Sequence, residues 1–190
     1  MSIIPAFEIG VWNAWVLILS FALVGYGLSF SIVSKEAGLR LSPQYDKKEK
    51  ALSTGVMVGD FVWYVYAIFL PLKLATAWFY VGFPIYLVGM VFVILTIVSF
   101  VNPPVDKPVT TGIYRISRNP AYLGIILIYI SIGIACSSWV FLLVAIGYII
   151  LMNILVVPEE RMCLEKYGEA YREYMKRTPR WIGIPRSKKS

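Results

Sequence analysis

The stretch PAYLGIILIYISIGIACSSWVFLLVAIGYIILMNILVV, residues 120–157, runs for 38 residues without a formal charge. Its one break is the pair Ser137 and Ser138. It therefore reads as two apolar helices folded back on each other, Pro120 to Cys136 and Trp139 to Val157, with almost no loop between them. In lipid every backbone polar group must find a partner inside the protein, so uncharged runs of this length are expected to be helical.

The same pattern recurs upstream. Trp12 to Val33 is 22 residues without a charge, about 33 Å as a helix and enough for a hydrocarbon core of about 30 Å. No basic region precedes it and it is too long for a signal h-region, so it is expected to span rather than to be cleaved. Gly55 to Leu72 is interrupted only by Asp60, and Ile85 to Val101 begins after Pro84. Pro71, Lys73 and the aromatic group Trp78, Phe79 and Tyr80 suggest an interfacial turn between these two runs. The expected fold is an all-α integral membrane protein with five transmembrane helices, a tight hairpin of the last two, and an amphipathic C-terminal helix. Residues 1–104 would hold helices one to three. Residues 105–190 would form a second half built from a loop, the hairpin and the tail.

Composition agrees. Hydrophobic residues make up 58% of the 190-residue chain and charged residues 15%, against about 45–50% and about 25% in soluble domains. Mean hydropathy is +0.70. A soluble globular protein, a disordered chain and a disulfide-framed secreted domain are excluded. The 18 Lys and Arg outnumber the 11 Asp and Glu, for a net charge of +7. With five crossings, 17 basic residues fall on one side and only Lys73 on the other. The positive-inside rule then places the N-terminus outside and both basic loops and the C-terminus in the cytoplasm. No internal repeat marks a repeat-built transporter.

Histidine is absent, and the cysteines are Cys136 and Cys163. A His/Cys zinc site, His-ligated haem and Ser-His or Cys-His nucleophile pairs are excluded. The topology separates the two thiols to opposite sides, so both are expected to be reduced and packed among apolar neighbours.

Several polar residues stand out against this background. Asp60 is an acid inside a span, either functional or held in a structural hydrogen bond. Gly55 and Gly59 form a GxxxG, more often a packing feature than a functional one. Asn119 and Pro120 suit the N-cap and first position of the fourth helix. With Arg115 and Arg118 beside that N-terminus, an anion-binding corner is one reading and an interfacial basic loop the other. Glu159 and Glu160 follow the fifth run, either facing a ligand or opening a tail helix after Pro158. Asn153 is polar within an apolar span and can donate to a ligand or to a neighbouring helix. In the tail, Leu164, Tyr167, Tyr171 and Tyr174 lie on one helical stripe, and Pro179 would end it. If the hairpin closes, Arg118, Asn119 and Tyr122 approach Asn153, Glu159 and Glu160 in one cytoplasm-facing pocket.

Four pieces in order then carry a resemblance: Thr111-Gly112-Ile113-Tyr114; Arg118-Asn119-Pro120-Ala121-Tyr122-Leu123-Gly124; Pro158-Glu159-Glu160; and Tyr167-Gly168-Glu169-Ala170-Tyr171-Arg172-Glu173-Tyr174. Over roughly residues 105–180 the chain resembles the isoprenylcysteine carboxyl methyltransferase family, in its small prokaryotic, archaeal-type members. The phospholipid methyltransferases share much of this pattern. The family has histidine where this chain has Asn119, which can cap a helix and hydrogen-bond but cannot carry a proton. A basic residue shortly before the paired glutamates is also missing, and Asn153 and apolar residues occupy that stretch.

The resemblance implies S-adenosyl-L-methionine as methyl donor and S-adenosyl-L-homocysteine as product, without a glycine-rich dinucleotide fingerprint. It implies that Lys107, Pro108, Val109, Tyr114, Asn119, Pro120, Tyr122 and Glu159 hold the donor, and no metal. Arg118, Asn153 and Glu160 are the candidate catalytic residues. Arg118 would hold an acceptor carboxylate, and Glu160 is the nearest group to take a proton from an amine. The expected activity is methyl esterification of a prenylated cysteine or similar lipid-linked carboxylate at the cytoplasmic face of the cell membrane. The alternatives are a phospholipid or lipid-amine N-methyltransferase and a non-catalytic membrane subunit. No nucleic-acid partner is expected.

Overall fold

The computed structural model describes residues 9–33, 45–104 and 106–183. Among these residues the regular elements are all helices, with no β-strand. Helix α1 runs Trp15–Ile32, with one π-turn at Leu23–Gly27. Helix α2 is Lys47–Ile68, α3 Ala77–Ser99, α4 Pro120–Ala135, α5 Trp139–Tyr167 and α6 Glu169–Arg177. Helices α1, α2, α3 and α5 are long and apolar enough to cross a membrane, whereas α4 is a shorter apolar helix. Its 16 residues measure about 24 Å at 1.5 Å per residue.

The hairpin forms as expected. Ser138 caps α5 through its side chain, which accepts from the Phe141 N–H at 3.3 Å. Ser137 takes φ 53° at the tight reversal. Its tip is tied to the turn after α2: the Lys73 N–H donates to the Ala135 carbonyl at 3.0 Å. That turn in turn holds the start of α1, with Ala14 N–H on the Leu70 carbonyl at 2.8 Å and Leu72 N–H on the Trp12 carbonyl at 3.0 Å. One end of the bundle thus gathers residues 10–14, 70–76 and 136–138. The loop 101–119, the end of α5 and α6 gather at the other. Cys136 and Cys163, both free thiols, sit at these opposite ends.

Three helix boundaries differ from the apolar runs, each for a local reason. Helix α2 starts eight residues before Gly55, because Asp46 and Glu49 form a reciprocal capping box and the Lys- and Glu-rich turns that follow favour helix without being apolar. Helix α3 starts at Ala77 rather than Ile85 and carries Pro84 inside it, so Trp78, Phe79 and Tyr80 belong to its first turn and not to a loop. Helix α5 continues through Pro158 to Tyr167. A proline forfeits one intrahelical hydrogen bond but need not end a helix embedded in a bundle. The break falls instead at Gly168, whose φ of 52° suits a residue without Cβ. Glu159 and Glu160 therefore lie within α5, and the reading of them as the opening of a tail helix is corrected.

Helices α3 and α4 pack most closely. A Cβ on Gly89 would lie 2.8 Å from the Gly124 carbonyl oxygen, and one on Gly82 2.7 Å from that of Ser131. Only glycine allows the backbones this approach, as is usual for helix contacts in lipid. By contrast Gly55 and Gly59 meet nothing within 4 Å, so within the described chain that GxxxG packs no partner helix. Asp60 accepts from the Tyr129 hydroxyl at 2.6 Å, which joins α2 to α4. At the other end of α2, Glu49 receives both Nη groups of Arg161, at 3.0 and 2.9 Å.

Candidate active site

A cavity of about 330 Å3 lies at the end of the bundle away from the hairpin tip. That is the low end of the about 300–1,000 Å3 usual for small-molecule sites. Thr96 of α3 and Phe100 just past its end form one wall, with Pro103, Pro104, Pro108, Val109 and Tyr114 of the following loop. Asn119, Ala121 and Tyr122 come from the start of α4, and Glu159, Glu160, Met162, Cys163 and Tyr167 from α5. Arg118 lies between them, and Tyr171 and Tyr174 of α6 close the top.

The tail helix folds over the hairpin. Its apolar side buries Tyr171 and Tyr174, their rings tilted at 59° with centroids 5.7 Å apart, and the Tyr174 hydroxyl donates to the Tyr114 carbonyl at 2.6 Å. The opposite face carries Arg172, Lys176 and Arg177, each paired with Glu169 or Glu173. The loop ahead of α4 makes a single turn at Gly112–Arg115, which sets the Tyr114 ring edge-on to Phe100 at 5.6 Å. Burial, with Tyr174 and Glu159 nearby, holds the Tyr114 phenol well above its ordinary value. Burial also raises Tyr171 and Tyr174. All three stay neutral in working conditions, which leaves Arg118, Glu159 and Glu160 as the basic and acidic groups of the cavity wall.

Each of these groups has a distinct setting. The Tyr122 hydroxyl donates to Glu159 Oε1 in a short hydrogen bond. Glu160, only 5% exposed, accepts from Arg180 Nε at 3.3 Å and Nη2 at 2.5 Å. Arg118 Nη1 lies 3.2 Å from the same carboxylate, and the Arg118 side chain is 9% exposed. Among the described residues, neither Nε nor Nη1 of Arg118 makes a hydrogen bond. A buried guanidinium with donors unused is costly unless a ligand meets them.

Of the residues singled out in the sequence, Pro108, Val109, Tyr114, Arg118, Asn119, Tyr122, Glu159 and Glu160 line this one cavity. Lys107 is exposed and does not line it. Pro120 is fully buried at the first position of α4, behind the wall. Asn153 is on the outer face of α5, exposed rather than buried. Its Nδ2 donates to the Ile149 carbonyl at 2.8 Å and its Oδ1 accepts from Trp181 Nε1 at 2.9 Å. Asn119 occupies the N-cap position without capping. Its Nδ2 donates instead to the Arg180 carbonyl at 3.1 Å, while its own N–H goes to Ser117 Oγ at 3.0 Å.

Sequence reasoning missed Arg180. It sits beyond Pro179, past the end of the tail stripe, and its only signal was a basic charge among many. It also missed the aromatic roof: Tyr171 and Tyr174 were legible as an apolar stripe, but not as part of a cavity. Among the described residues no cluster of His, Cys, Asp and Glu suited to a metal is found.

Comparison with curated proteins returned no match. The sequence profile of the phospholipid methyltransferase family matches residues 75–170, from the turn before α3 to the start of α6 and just over half of the chain. That interval contains α3, the loop, both hairpin helices and nearly every group in the cavity wall. The chain belongs to the phospholipid methyltransferase family, a family of membrane methyltransferases.

Proposed function

We propose that the chain binds S-adenosylmethionine in the cavity and methylates a lipid-linked carboxylate, such as that of a prenylated cysteine, at the cytoplasmic face of the membrane. The observation that carries this reading is the buried Arg118 guanidinium, ion-paired to Glu160 yet with Nε and Nη1 making no hydrogen bond, set in a wall that is otherwise largely aromatic and apolar.

The residues present fit the donor. Tyr114, Tyr122, Tyr171 and Tyr174 offer flat surfaces for a purine, and the Glu159 carboxylate accepts from hydroxyl or ammonium groups. Pro108, Val109 and Asn119 would complete its seat. When bound, S-adenosylmethionine supplies an electrophilic methyl group on a sulfonium.

The chain's own part is positioning. An acceptor carboxylate is ionised near pH 7, since such groups titrate near about 4, and it needs no general base. The lack of histidine, and Asn119 in the place of the family's His, are therefore compatible with this reaction. Arg118 would hold the carboxylate by charge-assisted hydrogen bonds, with the N-terminus of α4 adding its dipole. Alignment of reactants is worth up to about 7–11 kcal/mol in favourable cases. The tyrosine roof limits water, which strengthens each of these contacts.

Five crossings with a cytoplasmic C-terminus remain part of the proposal, supported by the gathering of alternate turns at opposite ends of the bundle. A prenyl or acyl tail would then stay in lipid while its polar end meets the cavity. The family match favours a second reading, methylation of a lipid amine. Transfer of radiolabelled methyl to extracted acceptors separates the two: an ester is lost in mild base, an N-methyl group is retained.

A further inference from the structure

The residues Pro179 to Trp181 form a strap across the loop that carries Arg118. Arg118 N–H donates to the Pro179 carbonyl at 3.0 Å. Ser117 Oγ and Asn119 Nδ2 both donate to the Arg180 carbonyl, at 3.2 and 3.1 Å. The Arg180 side chain then turns inward and takes both oxygens of Glu160, at 3.3 and 2.5 Å.

We propose that Arg180 is a positioning residue: by taking a hydrogen bond to each oxygen of Glu160 it holds that carboxylate's contact with Arg118 to a single ion pair, and so leaves the rest of the Arg118 guanidinium to bind a carboxylate. The argument is one of competition. Glu160 is buried, and a buried carboxylate must be paired. Two guanidinium groups lie within reach of it. Arg180 makes two hydrogen bonds to it, whereas Arg118 Nη1 forms an ion pair with it at 3.2 Å without hydrogen-bond geometry. Arginine prefers a two-point fork on a carboxylate. Without Arg180, Glu160 is open to a two-point fork from Arg118, which would turn the present ion pair into a full engagement of the guanidinium. The inference rests on the proposed function in naming a carboxylate as the ligand, but not in naming which molecule bears it.

The test is a charge-removal cycle on the full chain in detergent, with binding as its readout. The variants are Arg180→Gln and the double variant Glu160→Gln with Arg180→Gln. The probes are S-adenosylhomocysteine and N-acetyl-S-farnesylcysteine, each beside its carboxamide. Arg180→Gln is expected to weaken the acid form of the probe that Arg118 holds by about tenfold or more, the worth of one charge-assisted hydrogen bond. The amide should change little. In the double variant Glu160 no longer competes, and most of the lost affinity should return. Should Arg180→Gln destabilise the chain, Arg180→Lys retains the charge but not the fork and is expected to fall between wild type and Arg180→Gln. Unchanged affinity in Arg180→Gln, or a double variant as weak as the single one, overturns the proposal, since a merely structural pin would not be rescued by removing its partner. If the wild type holds the farnesylcysteine acid no better than its amide, the acceptor reading fails. The cycle then still reads the positioning role from S-adenosylhomocysteine.

Discussion

Tyr122 and Glu159, 37 positions apart in sequence, are joined by a hydrogen bond from the phenol to Oε1 of the carboxylate. One residue stands in the first turn of α4 and the other near the end of α5. The bond fixes the open end of the hairpin as Ser138 fixes its tip. Replacing Tyr122 by Phe leaves the half-buried Glu159 carboxyl without this donor, a loss of about 1–3 kcal/mol. A lower melting temperature and weaker S-adenosylhomocysteine binding are expected. Glu159→Gln, which keeps an acceptor for Tyr122, should melt closer to wild type. Equal melting of Tyr122→Phe and wild type would show the bond to be idle.

The α3–α4 contact makes a second prediction independent of chemistry. Gly89→Ala drives a methyl group against the Gly124 backbone, and overpacking of this kind costs about 1–3 kcal/mol. Gly147→Ala meets nothing within 4 Å and should be neutral or slightly stabilising, since alanine is the better helix former. Thermal unfolding in one detergent would rank the two variants. The reverse order would deny the close approach.

The pH dependence follows from the neutral tyrosines and the acceptor. A carboxylate acceptor is ionised from about pH 6 upward, so the acceptor itself adds no rise in turnover from about pH 6 to 9. An amine acceptor must lose a proton, and its rate should climb with pH below its own pKa. Stability has a separate window. Tyr114, Tyr171 and Tyr174 are held above their ordinary value of 10.0, so above about pH 10 the unfolded chain releases protons that the folded chain keeps. Their contribution is fully present below pH 10 and is lost as pH rises beyond it. Melting temperatures between pH 7 and 11 would check the sign.

Much of this arrangement was legible from local chemistry. The uncharged 120–157 stretch and its Ser137–Ser138 break define the hairpin because lipid permits only paired backbone. The two glutamates and Tyr122 fall on the facing ends of its helices by spacing alone. What was not legible depended on competition between distant groups. Asn119 has the side chain of a helix cap, yet the Arg180 carbonyl outcompetes the helix N-terminus for it. Asn153 lies nearly two turns before the cavity-facing glutamates, but the helical rotation turns it outward to Trp181. Pro158 read as a stop, and the surrounding bundle carried the helix through it. Helix ends set by caps at Asp46 and Gly168 were likewise hidden behind the louder hydrophobic runs.

Topology offers a fourth prediction. In a chain with Cys136 and Cys163 replaced by Ala, Lys176→Cys lies on the exposed face of α6 and Leu74→Cys on the exposed turn before α3. A membrane-impermeant maleimide should label Leu74→Cys in intact cells and Lys176→Cys only after the membrane is opened. Labelling of both from one side would contradict five crossings.

The central claim, that this cavity seats the methyl donor, is tested most directly by titrating S-adenosylhomocysteine into the detergent-solubilised chain and into Cys163→Trp, in which an indole fills the cavity from the α5 wall. Saturable one-site binding in the wild type, abolished in a Cys163→Trp variant that still melts cooperatively, is the predicted result. No saturable binding in the wild type, or undiminished binding with the cavity filled, would contradict it.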